Sequence, residues 1–242
     1  MRRILPFKLQ TPAWSPDGKW IVFVLPDCQI YKMPFNIAQR SFDTTKIEQL
    51  TFEGRNFFPS WSPDGEWIAY DSNKDSPNGM NFIWKMKSDG SGKIRIVYEP
   101  KKGEIREPSW SPDGNRIVHI RYSKDFNTDA SEIFVMDENG NNVKRLTYND
   151  YMNSNPKYSP DGTLIAYTSQ PNGLWLLDLS NNKNQKLTTR GTVDIFSWSP
   201  DGSRIVYTQH NYNDWSYNNG VIWIIDVNTG NEFQLTFNQK RR

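Results

Sequence analysis

A chain of 242 residues with 36% apolar and 14% aromatic residues, ten of them Trp and eleven Tyr, must fill its core with rings rather than with small aliphatic side chains, and such a composition favours strands. The formal charge is +2, but Arg2, Arg3, Lys8, Lys240, Arg241 and Arg242 supply six positive charges at the two ends. The body is left near −4 with no basic stripe interleaved with aromatics, which argues against a nucleic-acid surface.

From the N-terminus onward, one pentad recurs. Trp14-Ser15-Pro16-Asp17-Gly18 is followed by near copies at Trp61–Gly65, Trp110–Gly114, Tyr158–Gly162 and Trp198–Gly202, with the aspartates spaced 47, 49, 48 and 40 residues apart. Pro at the second turn position presets φ, and Asp-Gly suits the bridge and left-handed conformations that follow, so each pentad predicts a tight turn between strands. A period of this length marks stacked supersecondary units.

After each turn comes a short strand apolar on both faces: Trp20–Phe23, Trp67–Tyr70, Arg116–His119, Leu164–Tyr167 and Arg204–Tyr207. A variable loop, a second apolar strand such as Phe82–Trp84 or Leu174–Leu177, a polar hairpin such as Ser88-Asp89-Gly90, and a final strand ending in Leu-Thr complete the unit. In the second unit Ile96-Val97 stands in for Leu-Thr, and in the first the stretch from Pro34 to Thr45, with Phe35 and Phe42, reads as a longer packed flap. Strands in fours with no helical periodicity predict an all-β propeller of five four-stranded blades in one domain, over about 11–52, 57–98, 105–148, 153–189 and 194–237. Arg3–Phe7 sits where a preceding blade's last strand would end, so six blades is the alternative.

These residues resemble the repeat of the TolB family, whose blades read Pro-x-Trp-Ser-Pro-Asp-Gly, an apolar strand, an apolar-Asp strand and Leu-Thr; Pro59 to Tyr70, Met136-Asp137 and Arg145 to Thr147 carry the likeness. The resemblance implies a free-standing propeller, periplasmic or extracellular in a bacterium, that binds a protein. It departs from TolB in having five repeats and nothing in front of them. Related blades occur in propeller-bearing peptidases and in oligogalacturonate lyases. This chain has no Gly-x-Ser-x-Gly elbow for the former. For the latter's metal it offers only His119 and His210, and His119 takes the place held by Phe23, Tyr70, Tyr167 and Tyr207, as a packed ring would.

Function is expected on the rim opposite the turns, where the variable loops gather. Candidate ligand-binding residues there are Arg55, Phe57, Arg106, Asp125, Tyr151, Arg190, Asp194, His210, Tyr212, Asp214, Trp215 and Tyr217. The richest loop, from His210 through Trp215 to Asn219, reads either as a stacking surface for a peptide or sugar or as a cap over the channel. The expected role is a non-enzymatic scaffold for a protein or peptide. The alternative is a glycan-binding or glycan-hydrolysing propeller with Glu107 and Asp194 as its candidate acid and base or nucleophile. No cofactor, metal, nucleic acid or membrane insertion is expected: Cys28 is the lone cysteine, and no apolar run reaches a membrane-spanning length.

Overall fold

The computed structural model describes residues 9–97, 103–122, 130–149, 151–170, 173–188, 192–210 and 221–236. The described chain forms antiparallel sheets built on one plan. The first holds β1 (Gln10–Trp14), β2 (Trp20–Val24), β3 (Ile30–Asn36), β4 (Ser41–Phe42) and β5 (Glu48–Gln49). The second holds β6 (Asn56–Trp61), β7 (Trp67–Ser72), β8 (Phe82–Lys87) and β9 (Ile94–Arg95). The third holds β10 (Ile105–Trp110), β11 (Arg116–Tyr122), β12 (Ser131–Asp137) and β13 (Lys144–Arg145). The fourth runs β14 (Met152–Tyr158), β15 (Leu164–Gln170), β16 (Gly173–Asp178) and β17 (Lys183–Lys186). The fifth runs β18 (Thr192–Trp198), β19 (Arg204–His210), β20 (Val221–Asp226) and β21 (Glu232–Gln234). A single pairing, Ser131 with Met152, joins the third and fourth sheets. The all-β propeller is thus present, and the only helical turn among the described residues is a 3-10 turn at Thr44–Lys46.

The pentads do form turns, by a denser set of bonds than Pro and Gly preferences alone predict. In Ser62-Pro63-Asp64-Gly65 the Gly65 N–H donates to Ser62 O at 2.9 Å, and Asp64 Oδ1 accepts from the Glu66 N–H at 2.9 Å and from Ser62 Oγ at 2.5 Å. Ser62 Oγ itself accepts from the Trp67 N–H at 2.9 Å, closing the start of β7. These bonds, that from Ser62 foremost, hold the Asp64 carboxyl below its usual range. Gly65 has φ +74°, and Pro16 of the preceding turn lies beside it. The turns therefore stack around one rim, with Gly65, Gly114, Gly162 and Gly202 each against the proline of the turn before.

Sheets pack face to face, which is why their middle strands do not alternate. Val22, Val24, Ile30 and Leu50 of the first sheet meet Ile68, Tyr70, Trp84 and Met86 of the second. The same arrangement repeats with Val118, Ile120, Ile133 and Leu146 against Ile165, Tyr167 and Leu177. The second strands run two or three residues past the predicted apolar stretches, to Ser72, Tyr122, Gln170 and His210. In the Leu-Thr pairs the Thr hydroxyl accepts an N–H near the start of the third strand, Thr147 from Ile133 at 2.9 Å and Thr188 from Leu174 at 3.0 Å. The predicted flap of the first unit packs as expected: Phe35 and Phe42 lie 5.0 and 5.7 Å from the Trp14 ring.

Candidate functional site

The first strand of each sheet carries a bulge near its start. Register slips between Phe57 and Ser60, Arg106 and Ser109, Ser154 and Lys157, and Val193 and Phe196. The residue inserted at the bulge has positive φ in four sheets: Thr11 at 45°, Phe58 at 51°, Glu107 at 57° and Asn155 at 53°. A left-handed non-glycine residue costs roughly 1–3 kcal/mol, and such conformations cluster where a side chain must be aimed. Immediately before the bulge, Phe57, Arg106 and Ser154 occupy one register position, opposite Asp71, Ile120 and Thr168. Asp194 holds the matching place in β18, between Val193 and the slip. Three predicted site residues, Phe57, Arg106 and Asp194, are therefore equivalent positions on the first strands of the second, third and fifth sheets, the strands that face a propeller's axis.

Around Arg106 the structure builds a compact cluster. Its Nε lies 2.9 Å from Oδ2 of Asp71, a carboxylate with no solvent exposure, while the Arg106 side chain keeps 28%. The guanidinium stands 5.8 and 5.6 Å from the rings of Phe57 and Phe58, and Arg55 approaches Phe57 from elsewhere on the rim at 5.6 Å. Asn81 Nδ2 donates to Asp71 Oδ2 at 3.2 Å, and Glu104 Oε1 accepts the Asn81 N–H at 3.1 Å while lying 4.0 Å from Arg106. Oδ1 of Asp71 is buried without a hydrogen-bond partner. Burial pushes the Asp71 carboxyl up to about 7; Arg106 opposes this, and Glu107 and Glu104 add to it.

Glu107 belongs to the next step along the rim. The bulge directs it to the fourth sheet, where Oε2 accepts the Asn155 N–H at 2.5 Å, and Asn155 Nδ2 donates to the Asp194 carbonyl at 3.1 Å. Burial raises the Glu107 carboxyl above its usual range despite that bond. Nearby, Lys157 donates to Phe196 O at 2.9 Å, and burial lowers its ammonium. Glu107 and Asp194 are thus linked through Asn155.

Of the remaining predicted residues, Tyr151 is 43% exposed at the entry to β14, and its carbonyl accepts the Ser131 N–H at 3.1 Å. His210 ends β19. Asp125, Arg190, Tyr212, Asp214, Trp215 and Tyr217 lie outside the described residues. His119 is fully buried, stacked 5.9 Å from Phe134, and held neutral with its pKa lowered to about 3 by burial. No group of three or more His, Cys, Asp or Glu among the described residues could hold a metal ion, and no described helix is long and apolar enough to cross a membrane. Sequence reasoning missed Asp71, Asn81 and Asn155. Asp71 had a readable signal, an acid directly after an otherwise apolar strand, whereas the two asparagines gain meaning only from the neighbours they reach.

Comparison with known proteins agrees with this architecture. The TolB beta propeller domain matches residues 5–128 and 100–241. The Agrobacterium fabrum protein Atu1656 is 35% identical over 164 residues, 64% of this chain and 53% of its own length. The Tol-Pal system protein TolB of Francisella tularensis is 31% identical over 203 residues, 78% of this chain and 44% of its own. The chain spans about half the length of these curated relatives. A TolB-type structure from Agrobacterium tumefaciens superposes with a TM-score of 0.80 at 22% identity, covering 96% of this chain and 83% of that one.

Proposed function

Because the chain belongs to the TolB beta propeller domain family, we propose that it is a non-enzymatic scaffold that binds an extended protein segment along the rim bearing Phe57, Arg106, Tyr151 and Asp194. The observation that carries this reading is the Arg106 cluster. A partly exposed guanidinium lies against a buried carboxylate and two phenyl rings, with the Glu104 carboxylate 4.0 Å away. Mixed charge beside aromatic surface suits a peptide, whose backbone needs donors and acceptors and whose side chains need apolar contact. Glu107 accepts a main-chain N–H from Asn155, whose side chain donates to the Asp194 main-chain carbonyl, an arrangement suited to joining sheets.

The test is selection from a displayed peptide library beside a glycan array. Selected peptides should bind at least tenfold more weakly to Arg106→Ala and Phe57→Ala than to the natural chain. Undiminished binding to both variants moves the site elsewhere, and enrichment of glycans in place of peptides favours a sugar-binding propeller.

A further inference from the structure

Donors and acceptors around the Phe57 ring do not balance. Arg106 donates from Nε to Asp71 Oδ2 at 2.9 Å, the one hydrogen bond its guanidinium makes among the described residues. Asp71 Oδ1 has no partner, so the contact is one-sided and leaves the two terminal nitrogens of Arg106 unspent. Arg55 is fixed through its main chain, where its N–H donates to Asn73 Oδ1 at 2.7 Å and its carbonyl accepts the Asn73 N–H at 3.3 Å. Its exposed side chain makes neither an ion pair nor a hydrogen bond among the described residues and lies 5.6 Å from the Phe57 ring. Arg106 stands 5.8 Å from the same ring. The acids nearby are engaged: Asp71 Oδ2 also accepts from Asn81 Nδ2 at 3.2 Å, Glu104 Oε1 from the Asn81 N–H at 3.1 Å, and Glu107 Oε2 from the Asn155 N–H at 2.5 Å. Burial pushes the Asp71 carboxyl up to about 7, so near neutral pH it cancels only part of the Arg106 charge.

Resting on the reading that this rim binds an extended segment, we infer that Arg55 and Arg106 form a carboxylate subsite around the Phe57 ring, and that the preferred segment sets an acidic group there beside an apolar side chain. A guanidinium offers paired N–H groups that match the two oxygens of a carboxylate, and such charge-assisted bonds are roughly twice as strong as neutral ones. The bond to Asp71 and the rings of Phe57 and Phe58, 5.8 and 5.6 Å away, hold the Arg106 head before anything binds, so little freedom is lost when a carboxylate arrives. The apolar neighbour follows from the spacing. Residues two apart on one face of an extended segment are about 6.6 Å from each other. That is close to the 5.6 and 5.8 Å between the two guanidiniums and the Phe57 ring, so one residue can meet a guanidinium while the other lies on the phenyl surface. A lysine or arginine in the first place would instead face two like charges. An acidic side chain and a chain-terminal carboxylate bring the same chemistry.

The probes are the peptides selected by the natural chain, resynthesised with each acidic residue changed to its amide and, separately, with an amidated C-terminus. Removing the carboxylate should weaken binding to the natural chain by about tenfold or more, and to Arg55→Gln or Arg106→Gln by less than about threefold, because the group it pairs with is already gone. Arg55→Gln breaks no hydrogen bond of the fold, so it keeps the coupling measurable if Arg106→Gln, which strands the buried Asp71, does not fold. Loss on the side-chain amide identifies an acidic residue, and loss on C-terminal amidation identifies the chain end; either supports the subsite. Selected peptides that need no carboxylate, or a carboxylate penalty undiminished in Arg55→Gln, overturn the subsite, while weakened binding of those same peptides to Phe57→Ala keeps the peptide-binding rim. Peptides indifferent to Phe57→Ala, no selected peptide at all, or enrichment of glycans in place of peptides overturn both.

Discussion

Replacing Asp71 by Asn tests the electrostatics of the candidate site. With a folded pKa of about 7 against about 3.9 unfolded, Asp71 binds its proton preferentially in the folded state between those values. Its contribution therefore favours the fold at pH 5 and fades as pH rises through 7. At 1.36 kcal/mol per unit, the change from pH 5 to pH 8 is about 2.5 kcal/mol. The natural chain's own profile cannot isolate this, because His119, with a folded pKa near 3 and an ordinary value of 6.5, contributes in the opposite sense and loses stability as pH falls below 6.5. The difference between the two chains can isolate it, since Asn nearly conserves volume and does not ionise. Urea unfolding of the natural chain and Asp71→Asn, followed by Trp fluorescence at pH 5, 6, 7 and 8, should show the natural chain's relative stability falling by about 2.5 kcal/mol over that range at unchanged denaturant slope. A flat difference would mean that Arg106 keeps Asp71 ionised throughout. A rising one would reverse the sign of the argument.

His119→Phe should stabilise the protein by roughly 1 kcal/mol at pH 7, since both ring nitrogens are buried without partners. It should also remove most of the loss between pH 6.5 and 5; an unchanged acid limb in denaturation would contradict this. Gly65→Val should cost about 1–2 kcal/mol, chiefly from positive φ, because a Cβ there would meet Pro16 Cδ at an ordinary 3.8 Å. Gly140→Ala should cost more despite the smaller side chain, because its Cβ would lie 2.0 Å from the Ile96 carbonyl of the neighbouring sheet; thermal melts that rank the two the other way would refute the packing argument. Glu132→Ala should destabilise by roughly 3–5 kcal/mol. Its fully buried carboxylate is held by Arg145 at 2.9 Å, the Asn149 N–H at 3.1 Å and Asn153 at 3.3 Å. A loss under 1 kcal/mol in chemical denaturation would show that water replaces those bonds.

The architecture was legible because its causes are local. A turn set by Ser-Pro-Asp-Gly depends on residues within about five positions of one another, so Ser62, Asp64 and Gly65 announce it wherever they recur. Strands covered on both faces betray themselves by failing to alternate, as Trp67–Tyr70 and Leu174–Leu177 do. His119 was readable for the same reason: the repeat supplies four aromatic counterparts for comparison.

The candidate site was legible only in its rim position. Phe57 and Arg106 follow from where the blade-to-blade loops fall. That Arg106 turns back to Asp71, and that Glu107 crosses to Asn155, depends on bulges whose left-handed residue no spacing predicts. The exposure of Leu235, 51% against 6% for Leu146, is likewise invisible in the chain, where Leu235-Thr236 looks identical to Leu146-Thr147. By itself the sequence determined the repeat, the turns and the two-sided strands, because these are settled by φ preferences and by hydrophobicity along a few residues. Only the tertiary structure decided which carboxylate is buried beside which cation and which apolar side chains stay exposed, because burial and charge pairing are properties of what lies across the interface between sheets.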